Sequence, residues 1–469
     1  MVKLWYSRND ALIARREYMT LSVVVSAMIM TLPAVSNGFP FVTWDSGTYL
    51  EAAIKLWLPY DRPIFYSIFA ALCHWTLSPW PIVVVQALVV AYVVRLVAIS
   101  VFEIGSHFFT LLVTLLLTFG ATLPWFVGQI TPDIFTSILF LAVTLLVFGW
   151  HRLREAERWF ALGLIPVCVS FHNSNVIIAV GIVASISSLY LVGWRPGGFA
   201  LKRSMQIVTA LTLGVSALVA TNLVARRSFV ISPGASTFLF AKLLDDGPGF
   251  EVLEDECGTK NYSVCTQIES LHEYRSKVEK NSDAPLSDYF LWGGPLEALG
   301  WFQRFEPEAK VLVRKAIQHA LWTQMKWSVQ NARAQFVRVA PGDGLIPYAS
   351  DVQPSIAIRQ VFSTGVYSSY VTSQQNQGAL DFKRINRVCF FALALAAAAL
   401  LFCATVSWRT DRLALYIAIF TVMFLITNAA VTGILSSVHD RYQSRVIWIV
   451  PLMAILTVMR TLREWKTET

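Results

Sequence analysis

Ten runs of this chain, at roughly 17–36, 81–103, 106–125, 133–150, 158–171, 174–194, 204–225, 388–407, 412–435 and 446–461, are apolar and nearly free of charge. A helix needs about 20 apolar residues to span hydrocarbon, and backbone polar groups inside lipid must bond within their own segment. Such runs therefore become transmembrane helices, and few other folds can hold so many. Composition agrees: 55% of the 469 residues are hydrophobic and 14% charged, with mean hydropathy +0.54. A soluble globule carries about 25% charged residues. The expected class is an all-α polytopic membrane protein with about ten or eleven transmembrane helices.

Lys and Arg set the orientation. The amino terminus, "HRLREAER" (151–158), "RPGGFALKR" (195–203) and "WRTDR" (408–412) are basic and should share the cytoplasm. Ten spans put all four there only if "RPIFYSIFAALCHWTLSPW" (62–80) lies at the interface instead of crossing. The first apolar run, behind a basic and polar leader, reads as an anchor that stays. The formal charge of +8 follows from the same loop bias and asks for no nucleic-acid partner. Cys73, Cys168, Cys389 and Cys403 fall in apolar runs as small core residues. Cys257 and Cys265 lie in a polar segment and would pair if that segment is extracytoplasmic.

This threading sends several polar stretches to one outer face: residues 37–61, "GQITPD" (128–133), "FHNSN" (171–175), "SSVHDRYQSR" (436–445) and the polar segment 226–387. Three parts follow: a transmembrane module 1–225 with an interfacial segment 37–80, an extracytoplasmic and mostly helical domain 226–387, and terminal transmembrane helices 388–469. Within the domain, 297–336 has the apolar spacing of one or two amphipathic helices.

The candidate groups sit in those outward stretches. Asp45, beside Trp44 at the membrane edge, suits a general base toward a hydroxyl, or the cap of a helix with Ser46. Arg62 can grip a phosphate, or simply pair with Asp61. Asp133 stands at a helix start where a carboxylate suits the dipole. His172 and Asn173 interrupt an apolar stretch, where polar groups are costly and often functional. His439, Arg441, Tyr442 and Arg445 surround the start of the last span, near Tyr442, where backbone amides favour anions. No metal is required. Asp45 and Asp133 together could hold one divalent cation, though neither loop has the tandem acids of a metal nest. The small-residue positions Gly163 and Gly181 read as helix packing.

Taken in order, an acid in the first outer loop, "RP-x-x-Y" entering an apolar helix, "PD" after the third span and "H-x-RY" before the last resemble the GT-C glycosyltransferases. These include aminoarabinose transferases and protein mannosyltransferases, and the likeness covers about 1–225 and 430–461. It implies an inverting transferase in a bacterial inner membrane with its active site toward the periplasm. Its donor would be a polyprenyl-phosphate sugar, and its acceptor an envelope glycan, lipid or protein. Asp45 takes the place of the base, and Arg62, Arg441 and Arg445 hold the leaving phosphate with His439 and Tyr442 in support. Asp61, Asp133, His172 and Asn173 fall among the substrate contacts. Two other classes compete. A polysaccharide polymerase or ligase would use the loop arginines Arg226, Arg227, Arg333 and Arg338. A lipid-linked-sugar transporter would carry charge at mid-span, whereas most spans here are free of it; Arg95 is an exception within 81–103, though near its cytoplasmic end.

Overall fold

The computed structural model describes residues 19–191, 201–281, 285–406 and 412–468. The basic amino terminus, most of "RPGGFALKR" and most of "WRTDR" lie outside them. Among the described residues the chain is helical, with one isolated pairing of extended backbone, Phe41 with Gln129.

The first part comprises α1 (Met19–Asn37), α2 (Ser46–Glu51), α3 (Phe65–His74), α4 (Trp80–Ser100), α5 (His107–Gly120), α6 (Leu123–Val127), α7 (Ile134–Phe148), α8 (Glu155–Phe171), α9 (Asn173–Leu191) and α10 (Leu201–Arg226). The insertion holds α11 (Ala235–Asp246), α12 (Pro248–Cys257), α13 (Ile268–Asn281), α14 (Leu286–Trp292), α15 (Pro295–Ala298), α16 (Trp301–His319), α17 (Leu321–Val337), α18 (Ser355–Val361) and α19 (Thr364–Val371). The chain closes with α20 (Phe382–Val406), α21 (Arg412–Leu435), α22 (Asp440–Ile447) and α23 (Ile449–Glu468).

Seven helical stretches are long and apolar enough to cross a membrane: α1, α4, α9, α10, α20, α21 and the α22–α23 pair over Asp440–Arg463. α3, α5 and α7 are shorter apolar helices. Each of the ten expected runs is helical, but 106–125, 133–150 and 158–171 give helices below spanning length, and two boundaries differ from the sequence reading while the interfacial segment stays short. The run 106–125 stops at Gly120 and restarts as α6, whose Pro124 suits a first turn. The last helix starts at Asp440, two residues before Tyr442, and breaks at Trp448. The segment 62–80 contains only the ten-residue α3, too short to cross.

α7 is buried along its whole length and forms the axis of the bundle. Around it, outward Leu21, Met28, Phe108, Phe119, Leu213, Phe390 and Leu401 are exposed, as suits side chains whose solvent is lipid. Glycine lets two helix pairs close. A Cβ at Gly214 of α10 would stand 2.8 Å from Val169 of α8, and one at Gly181 of α9 would stand 2.3 Å from Thr427 of α21. Gly163 has nothing within 4 Å and packs no helix.

The polar segment divides in two. Residues 235–319 build their own core around Phe240, Leu244, Phe290, Phe305 and Leu312. Glu306 caps the start of α11 by accepting from the amides of Ser236 and Thr237, each at 2.9 Å. Cys257 and Cys265 are joined by a disulfide. Residues 345–371 instead join the core of the bundle through Leu345, Ile358, Phe362 and Tyr370. The expected amphipathic stretch is two helices, α16 and α17. The first packs into the insertion core, and the second lies along α21.

Candidate active site

Neutral polar groups first draw the loops of one bundle end together. Phe41 N donates to Gly128 O (2.8 Å), and Ile130 N donates to Phe41 O (2.9 Å). Ser46 Oγ accepts from Thr43 N and donates to Ile130 O, both at 2.9 Å. Ser46 therefore ties two loops and does not cap α2. Asp45 is the residue before α2, and its carboxylate makes no cap hydrogen bond. Gln375 brackets Val42, its Nε2 donating to Val42 O (2.7 Å) and its Oε1 accepting from Val42 N (3.1 Å). Gln86 holds the second loop from α4 by donating to the carbonyls of Val127 (3.0 Å) and Gln129 (2.9 Å).

The result is an alternating chain of acids and bases across four elements. Arg62 Nε donates to Asp61 Oδ2 (2.7 Å), and Arg62 Nη1 lies 2.9 Å from Asp45 Oδ1. Arg441 Nη2 donates to Asp45 Oδ2 (2.6 Å), while its Nε donates to Asp133 Oδ2 (2.9 Å). Arg445 Nη1 donates to Asp133 Oδ1 (2.9 Å), and its Nη2 reaches Ser174 Oγ and Asn428 Oδ1, both at 3.2 Å. Burial alone would raise the Asp45 carboxyl, but Arg62 and then Arg441 hold it well below the usual carboxylate range. The Arg441 guanidinium stands between Asp45 and Asp133, in the position a bridging cation would take. Among the described residues no three His, Cys, Asp or Glu side chains gather as metal ligands.

A cavity of about 1890 Å³ opens beside this chain. Asp45, Asp61, Arg62, His172, Asn173, His439, Arg441 and Tyr442 all line it, so eight of the ten candidate residues share one space. Asp133 and Arg445 do not reach it. Both side chains are 0% exposed and stand behind Arg441, so the phosphate contact expected of Arg445 is replaced by a supporting one. Val176 and Ile177 of α9, Val215, Val219 and Leu223 of α10, and Val431 and Leu435 of α21 give the cavity an apolar side. Phe238, Trp292 and Phe302 from the insertion face it with Lys242 and Lys310.

Four participants escaped the sequence reading. Asp343 accepts from the backbone amide of Arg441 (3.1 Å) and lies 3.7 Å from His439 Nδ1. Asp288, from α14, lies 3.6 Å from His439 Nε2. Asn428 links α21 to α22 by donating to Tyr442 O (2.8 Å). Gln335 of α17 donates to His439 O (2.7 Å) and accepts from its amide (3.0 Å). Two of these had a signal. Asn428 is an amide within an apolar span, and Asp343 is an acid inside the glycine turn "APGDG". Of the four loop arginines, Arg226 lines the cavity, donating to the carbonyls of Leu58 and Pro59. Arg227, Arg333 and Arg338 do not line it. Arg95 is buried near the opposite bundle end, donating to Gly105 O (2.7 Å). Comparison of the chain with protein-family models, curated proteins and solved structures gives no match in any of the three.

Proposed function

We propose that this chain is an integral-membrane inverting glycosyltransferase of the GT-C kind. On this reading it moves a sugar from a polyprenyl-phosphate donor to an envelope acceptor at the membrane face bearing Asp45. The observation that supports it best is the single cavity that joins Asp45, Arg62 and Arg441 to an apolar side built by α9, α10 and α21. A donor with a greasy tail and an anionic head needs such a pairing, because the tail is soluble only in lipid and the head demands cations.

The ion chain also suggests how the base is governed. Clamped by two guanidiniums, Asp45 is a feeble proton acceptor. A donor phosphate entering between Arg62 and Arg441 competes for both, and the Asp45 carboxylate, relieved of its partners, becomes more basic. It then takes the proton of the acceptor hydroxyl while that oxygen attacks the anomeric carbon. The anomeric carbon–oxygen bond to the phosphate breaks, its electron pair leaves with the polyprenyl phosphate, and the arginines hold that charge. Asp133 and Arg445 act from behind by fixing Arg441.

The test uses the full chain in lipid nanodiscs with a synthetic polyprenyl-phosphate sugar. Asp45→Asn removes the competitor for the arginines. It should bind polyprenyl phosphate as tightly as the parent or more so, while turnover falls by roughly 10²–10⁴-fold. Turnover by that variant at the parental rate, or failure of the parent to bind the lipid phosphate, would end the proposal.

A further inference from the structure

Helix α17 is built inside out. The side chains it turns inward are polar: Gln324, Ser328, Asn331 and Gln335 sit at helical spacing, the last two buried and the first two half-buried. Gln324 and Asn331 both donate to Asp246 of α11, and Gln335 brackets the backbone of His439. The contact with α21 is close. A Cβ on Gly433 would lie 2.6 Å from the carbonyl oxygen of Asn331. A second stripe, formed by Leu321, Trp322, Met325, Val329 and Phe336, is apolar yet exposed, with Trp322 at 80% and Val329 at 71%. On a helical wheel of 100° per residue this stripe spans about a quarter turn. Arg333, Lys326 and Gln330 follow directly beyond its edge and are also exposed.

A water-facing helix puts these stripes the other way round. The order found here suits a helix at a bilayer boundary, whose apolar side enters the acyl layer and whose cationic side meets headgroups. What α17 lies against indicates the occupant: α21 is long and apolar enough to cross a membrane, and it leaves its own Val422 and Ile426 exposed. α17 therefore packs on a helix whose own outward side chains need lipid. We infer that α17 is an interfacial membrane helix, with Met325 and Val329 in the acyl region and Lys326 and Arg333 at anionic headgroups. The insertion would then be seated on the bilayer as well as on the bundle. This inference is independent of the proposed reaction.

The test is spin-label accessibility on the full chain in vesicles of mixed phosphatidylglycerol and phosphatidylcholine, with the four free cysteines replaced. Labels go at Val329→Cys and Gln330→Cys, two adjacent exposed positions, with Met325→Cys as the second stripe site should the first variant misfold. The stripe label should collide with oxygen several-fold more than with a water-soluble nickel chelate, and the Gln330 label should show the reverse. Nickel dominating at 325 and 329 would overturn the inference by showing water on the stripe. Exclusion of both reagents there would overturn it in favour of a second protein copy.

Discussion

Arg441 is the residue on which the site turns. It bridges Asp45 and Asp133, and Asp133 is wholly buried, out of reach of bulk solvent. Breaking a buried ion pair from one side costs about 3–5 kcal/mol, because the other charge stays buried. Arg441→Gln should therefore lower the thermal midpoint markedly. Adding Asp133→Asn should return part of the loss instead of adding to it, although Arg445 then lacks its own acid. A double-mutant cycle on purified protein measures this coupling, and strict additivity would show that the ion chain is not one unit.

His439 behaves differently because it titrates. Burial works against its charged form, but Asp288 and then Asp343 outweigh both burial and the repulsion of Arg441, so its pKa lies above the ordinary value. A raised folded pKa means stability that is complete below the unfolded value of about 6.5 and is lost as pH climbs through the folded one. The thermal midpoint should fall as pH rises from about 6 through that range, and His439→Gln should flatten the fall. An unchanged slope in the variant would remove His439 as its cause.

Among helices, close approach decides what each glycine tolerates. Gly433 lies against the backbone of α17, and Gly163 faces open space. Gly433→Ala should cost about 1–3 kcal/mol through overpacking. Gly163→Ala should gain roughly 0.5–1 kcal/mol from helix propensity. Thermal melts of the two variants check the contrast, and equal effects would deny it. The same level shows what could be read from sequence. Length and hydropathy were enough to find the seven helical stretches able to span, since lipid imposes that pattern residue by residue, but they overcounted at 106–125, 133–150 and 158–171, whose helices are shorter. The short segment at 62–80 was also marked by Lys and Arg placement, and its helix α3 is only ten residues long. These patterns marked α17 as an amphipathic helix but could not reveal which of its sides would be shielded. Its stripe is interleaved with Lys326 and Arg333, and its role follows from being pressed onto α21. Nor could they separate Arg445 from Arg441, four residues apart on one helix. Which of two arginines meets a cavity and which backs it depends on what lies across the helix, here Asp133 and Asn428. Gln375 and Gln86, which fold the loops that carry Asp45, are neutral and far off in sequence, and nothing local marks them.

For the whole molecule, sidedness is open to a simple measurement. The insertion contains the Cys257–Cys265 disulfide, while Cys73, Cys168, Cys389 and Cys403 are free. Disulfides persist in oxidising compartments. Protein denatured in the presence of an alkylator during lysis should carry it on four cysteines, and on six if reduced first. Six without reduction would put the insertion, and the cavity beneath it, on the reducing side of the membrane.

On the proposed reading, the far end of the bundle bears on how so bulky a lipid would be admitted. There Glu103 lies 3.2 Å from Arg460, accepts the Arg463 guanidinium on its backbone carbonyl at 2.7 Å, and also pairs with Arg152. The closing helix is consequently moored at its two extremities, by Glu103 below and by the Asp45–Asp133 pair above. Neither α10 nor α21 carries a carboxylate, so no ion pair moors one to the other. The tight seam of α10 is with α8, and Arg226 at its tip donates to loop carbonyls and stacks on the Tyr60 ring. If the protein breathes to let a long isoprenoid slip sideways out of the bilayer, α10 is the door leaf and the closing helix is the post.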